Sequence, residues 1–158
     1  MNEAIKRGIS FGLTSGIITT LGVMIGLNTG TGLRLAVIGG ILTVAIADAF
    51  SDALGIHNSE ECKLENDRKS IIQATVATFF TKLLIASSFL IPVILLPLPI
   101  AVIVNLIWGL IILTIFSYMV AKLRKEKPLR LIISHLATAT LVIIITYFVG
   151  KFISAYFS

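Results

Sequence analysis

The 158-residue chain has a single cysteine, Cys62. No intramolecular disulfide can form from it, and no thiolate cluster can hold a structural zinc ion; Cys62 reads as an incidental reduced thiol. Charged residues make up 13% of the sequence, whereas a soluble domain carries about 25%. There is no His-Glu-x-x-His pair, no phosphate-cradling P-loop and no dinucleotide fingerprint, so neither a metalloprotease nor an ATP-driven pump is supported. Gly8-Ile-Ser10-Phe-Gly12 matches the hydrolase G-x-S-x-G pattern, but that elbow needs a strand-to-helix turn and these residues open an apolar helix. With no nucleophile and base pair elsewhere, no enzyme activity and no cofactor are expected.

What remains is apolar: 56% of residues are hydrophobic and the mean hydropathy is +1.00. Crossing a hydrocarbon core of about 30 Å takes ~20 residues of helix. Five runs meet that length, at residues 5–27, 33–56, 71–96, 100–123 and 129–153. The expected fold is all-α, an integral membrane bundle of five transmembrane helices forming one domain over residues 1–158, since the connections at 57–70 and 122–128 are too short to separate domains. Pro92, Pro97 and Pro99 mark a tight turn after the third run, with Pro92 a candidate kink.

The net charge of +5 is distributed as a topology signal, so nucleic acid is not an expected partner. Lys6 and Arg7, then Lys63, Arg68 and Lys69, then Lys122, Arg124, Lys125, Lys127 and Arg130 fall on one side, against Arg34 and Lys151 on the other. The positive-inside rule places the N-terminus in the cytoplasm and the C-terminus outside, in a multi-pass protein of the cell membrane. The first run lacks a small-residue cleavage site and reads as a retained span. It carries Gly8, Gly12 and Gly16, then Gly22 and Gly26, at intervals of four. Such a stripe serves either self-association or packing within one subunit.

Asp48 and Asp52 lie one helical turn apart inside the second run. A carboxylate at that depth costs about 2.5–3.5 kcal/mol on insertion scales and survives where it meets a polar path, a cation or a counter-charge. Their spacing puts both on one helical face, suited to a hard divalent cation. The alternative is an internal ion pair with Lys82, the lone lysine of the third run. His57, Glu60 and Glu61 cluster at the inner exit of the second run, where they read either as a cation-collecting antechamber or as ordinary interfacial charge. Ser15, Thr19, Met24, Ser51, Lys82 and Asn105 offer further groups for a transport path, against a reading of each as helix-packing glue. His135 reads as a packing or interfacial residue.

The order Arg7-x4-Gly12-x2-Ser15-Gly16-Ile-Ile-Thr-Thr-Leu-Gly-x3-Gly26, followed by a carboxylate-bearing second span and a Tyr147-Phe-Val-Gly150 ending, resembles the vacuolar iron transporter family. The resemblance implies a homodimer through the first helix that moves ferrous iron or manganese out of the cytosol, in exchange for protons. It places the family's span-two acidic residue on Asp48. Two departures stand out: Ser15-Gly16 replaces the family's usual Asp-Gly, and the cytoplasmic metal-collecting insert is reduced to residues 57–70. A second class of function remains open, a non-transporting assembly or scaffold subunit in which Lys82 neutralises an aspartate and the glycine stripe docks a partner helix.

Overall fold

A computed structural model describes residues 2–63 and 67–157, and among them every element is helical. Five helices are long and apolar enough to cross a membrane: Glu3–Thr31, Arg34–Glu61, Arg68–Leu95, Leu98–Arg124 and Pro128–Phe157. These are the first to fifth spans. The expectation for residues 64–66 of the inner loop lies outside the described residues.

Each span ends for a local reason. Asn2 caps the first with its side chain, and Gly32, at φ 64°, closes it with a left-handed residue whose N–H donates to the Asn28 carbonyl at 2.9 Å. Asp67 caps the third, accepting from the Ser70 N–H at 2.9 Å. Its carboxyl is held below the ordinary range, first by the Ser70 side chain and then by the Ser70 backbone N–H. Pro99 occupies the first turn of the fourth span, where a missing N–H has no helical partner to lose.

The second and third spans are not uniform. A single wide π turn at Val44–Asp48 interrupts the second, which then continues as α-helix to Glu61. The sequence places an exit at Ile56, but the helix runs on past it. Polar residues at a wet helix end keep the backbone bonds intact, and Glu60 is drawn inward by Arg7 and Lys63. The third span breaks at Phe89, three residues before Pro92. Pro92 has no N–H to give the Ser88 carbonyl, so the turn preceding it is the one that opens.

The first span is the hub. Half of its most apolar stretch is buried, compared with 6% for the fifth span, which presents Ile144, Ile145, Phe148 and Phe152 outward. Its glycines explain the close approach. A Cβ on Gly12 would stand 2.7 Å from the Thr78 carbonyl oxygen, and one on Gly22 would stand 2.9 Å from a Val142 methyl. Gly8, Gly12 and Gly16 therefore face the third span, while Gly22, Gly26 and Gly30 face the fifth. The stripe is taken up inside the subunit, so it is not the open seam that self-association through these glycines would need. Gly8 and Gly12 also lie mid-helix, as does Ser10, with none of the strand-to-helix elbow geometry.

Around this hub, Ile17, Leu21, Met24, Val37, Ile41, Phe89, Val93 and Leu113 form the fully buried core. Polar atoms reach the inside only at particular levels, and the central one holds the two aspartates.

Candidate ion site at the bundle centre

On the third span, Ala74, Thr78, Lys82 and Ala86 recur every four residues along the buried face. Lys82 thus sits on the stripe of small residues that the glycines of the first span pack against, and its side chain is fully buried. It lies at the middle of a 28-residue helix, about 20 Å from either end. A lysine stem cannot snorkel that far, so its ammonium needs partners where it stands.

The first and second spans supply them. Lys82 Nζ makes an ion pair with Asp48 Oδ2 at 2.5 Å, a second with Asp52 Oδ2, and donates to Ser15 Oγ at 2.9 Å. Ser15 Oγ in turn donates to Asp52 Oδ2 at 2.6 Å. Three oxygens from two helices converge on one cation. Asp52 is the better enclosed, with 17% of its side chain exposed against 33% for Asp48. The π turn ends at Asp48 itself, so the helix is wide where its carboxylate turns toward the third span. Wide turns of this kind are enriched at functional sites.

Two carboxylates meet one ammonium here. One formal negative charge is left over at the centre of the bundle, and the Ser15 hydroxyl stabilises it only as a hydrogen-bond donor. Among the described residues no three of His, Cys, Asp and Glu come together as a metal cluster. A cation at this level would have Asp48, Asp52 and the Ser15 hydroxyl, with Lys82 already among them.

A model of the VIT family matches residues 52–151, well over half of the chain. The chain belongs to the VIT family. Membership makes it a membrane transporter of metal ions, in agreement with a five-span helical bundle that holds Asp48, Asp52 and Lys82 together at its centre. The match to the VIT family begins at Asp52 and includes Lys82, while Ser15 and Asp48 precede it. No curated protein matches the chain.

The other expected residues are dispersed. His57 and Glu61 face each other at 3.3 Å, and His57 Nδ1 lies 3.0 Å from Thr75 Oγ1 on the third span. With Arg68, Ile71 and Ile72 they line a cavity of about 700 Å³. Glu60 points the other way. It is almost fully buried, gripped by Arg7 at 2.6 Å and Lys63 at 2.5 Å. The three residues expected as one antechamber are thus divided: His57 and Glu61 pair four residues apart, while Glu60 is committed to a lock between the first and second spans. Arg7 is legible in the sequence as a topology charge and as the start of the first-span pattern, and nothing there pairs it with Glu60.

Of the remaining path residues, only Ser15 and Lys82 stand at the aspartates. Thr19 folds its hydroxyl back onto the Ser15 carbonyl at 2.9 Å. Ser51 is exposed on the outer surface of the second span. Met24 and Asn105 meet each other instead, in the core on the far side of Ser15: Asn105 Nδ2 donates to Met24 Sδ at 3.3 Å and to the Phe89 carbonyl at 2.9 Å. The Asn105 bond to Phe89 binds the fourth span to the break in the third. Asn105 Oδ1 and Thr20 Oγ1 of the first span are buried with no partner among the described residues.

Proposed function

We propose that the protein carries a divalent metal ion, ferrous iron or manganese, out of the cytosol through the site at Asp48 and Asp52, in exchange for protons. The single observation behind this reading is the surplus negative charge at mid-membrane: two carboxylates against one ammonium. An uncompensated carboxylate at that depth is expensive, and a cation or a proton removes the imbalance. On an outward route from the cytoplasmic end, Asp52, bound to Ser15 and Lys82, is met first, and Asp48, one turn farther along and the more exposed of the two, is the second contact. Cargo and proton compete for the same carboxylate oxygens, so occupancy by one favours release of the other.

His57 and Glu61 supply a loading position at the cytoplasmic end, and the Arg7–Glu60 lock holds the first and second spans together there. The N-terminus faces the cytoplasm and the C-terminus the outside, following the basic residues. The working unit in this reading is a homodimer in the cell membrane; since the glycines of the first span are packed within the subunit, the pairing uses other faces of that helix.

A second reading is favoured by the same lysine. If Lys82 exists only to neutralise the aspartates, the protein is a scaffold or assembly subunit and the triad is structural. Proteoliposome uptake separates the two. Flux of ferrous iron or manganese that is present in wild type and lost in the Asp48→Asn, Asp52→Asn variant supports transport. A well-folded wild-type protein with no flux, with or without a pH gradient, supports the scaffold.

A further inference from the structure

A second cavity, of about 680 Å³, opens between the first, fourth and fifth spans, on the Arg7–Glu60 end of the bundle. Its rim carries Lys6, Arg7 and Arg124 against one carboxylate, Glu3. Deeper in, the walls are Phe11, Phe116, Val120 and Leu131, with Ser10, Thr14 and His135 among them. This excess of positive charge repels a metal cation, so the cavity is not a branch of the cargo route. It has the size of an ordinary ligand site, and its build is amphiphilic: cationic where helices end, mainly aromatic and aliphatic toward the membrane interior.

The cations differ in how far they are already committed. Two nitrogens of Arg7 are bound by Glu60, at 3.0 and 2.6 Å. Lys6 holds Glu3 at 2.6 Å, but Glu3 is largely exposed and easily released to water. Arg124 is only loosely engaged, 3.7 Å from Glu126 with 63% of its side chain exposed. Lys6 and Arg124 are therefore the donors open to an incoming anion. Phe11 and Leu123 remain exposed beside them, an apolar path that begins directly below the charged rim.

From this geometry we infer that the cavity binds an anionic phospholipid of the surrounding bilayer, its phosphate between Lys6 and Arg124 and one acyl chain along Phe11, Phe116 and Leu131. Charge at the rim selects the headgroup, and the apolar walls select a lipid over free phosphate. The site is independent of the aspartates and holds whether or not the protein transports.

Native mass spectrometry of the full-length protein, delipidated and then offered equal amounts of palmitoyl-oleoyl phosphatidylglycerol and the corresponding phosphatidylcholine, tests this. A basic side chain near the surface is worth about fivefold in affinity for an anionic lipid. Wild type should retain phosphatidylglycerol in at least that excess, and Lys6→Gln with Arg124→Gln should abolish the preference. Lys127→Gln with Arg130→Gln, basic positions of the same end that do not line the cavity, should leave it intact. Equal retention of the two lipids by wild type, or equal loss in both double variants, overturns the assignment. Displacement of phosphatidylglycerol by millimolar inorganic phosphate, or equal binding of its dihexanoyl form, also overturns it, since either outcome makes the site a simple anion site. Arg124 is exposed and the half-buried Lys6 pairs only with an exposed carboxylate, so their glutamine variants are expected to fold as wild type does, which a thermal melt checks.

Discussion

Replacing Lys82 by methionine is the perturbation with the most to say. Methionine preserves the apolar stem and removes only the ammonium, so two carboxylates and Ser15 are left around a vacant centre at mid-membrane. Removing one partner of a buried ion pair costs about 3–5 kcal/mol. For a chain of this size that corresponds to a fall of roughly 6–20 °C in the unfolding midpoint. The lone Trp108 offers a fluorescence signal for the melt in nanodiscs. If the charge imbalance is the cause, adding Asp52→Asn to Lys82→Met recovers about 1–3 kcal/mol of the loss, as expected for contacting residues. Asp52→Asn alone should cost more than Asp48→Asn, because Asp52 is better buried and binds both Lys82 and Ser15. A Lys82→Met protein that melts within about 0.5 kcal/mol of wild type, or costs that simply add in the double variant, refutes the reasoning.

Gly12→Ala should destabilise by about 1–3 kcal/mol in the same melt, because its Cβ meets the Thr78 carbonyl oxygen at 2.7 Å, whereas Gly39→Ala, with open space around it, should be neutral or stabilising. Glu60→Gln should weaken the Arg7 lock and quicken amide exchange in the last turns of the second span, read by exchange mass spectrometry. Asp67→Ala should speed exchange at the start of the third span. The depressed carboxyl of Asp67 makes its cap fully formed above the ordinary aspartate range and lost as pH falls through the lower folded value. Protection there, corrected for the intrinsic pH dependence of amide exchange, should therefore be lost only below the ordinary aspartate range, and an equal loss near neutrality would contradict the assignment.

The five spans were legible because a bilayer demands length and apolarity and little else. Their ends were less so: the second helix runs to Glu61 and the fifth to Phe157, beyond the apolar runs, since helix continues into water wherever polar side chains tolerate it. At the site, the spacing of Asp48 and Asp52 and the isolation of Lys82 were both visible, but not that Ser15 would complete the group from another helix. That depends on which face of the first span meets the second, and a glycine stripe with two possible partners does not fix it. The split between Glu60 and its neighbours was invisible for the same reason, since it turns on Arg7, 53 residues away. Met24 and Asn105 are open in the sequence to either path-lining or helix packing, and their mutual contact lies in the buried core.

The widened turn in the second span has a consequence for angular phase. Val37, Ile41, Ala45, Ala49 and Ala53 are all buried, each four residues after the last. In an unbroken α-helix, with about 100° per residue, a strict repeat of four drifts by about 160° over that length and would leave the bundle. One extra residue in a turn returns about 100° of the drift. Deleting a single residue from Val44–Asp48 should therefore be absorbed by the turn closing to ordinary α-helix, which leaves Asp52 on the lysine, His57 on Thr75 and Glu60 on Arg7. The same deletion in a stretch of regular helix would swing everything below it by about 100° and take all three contacts off together.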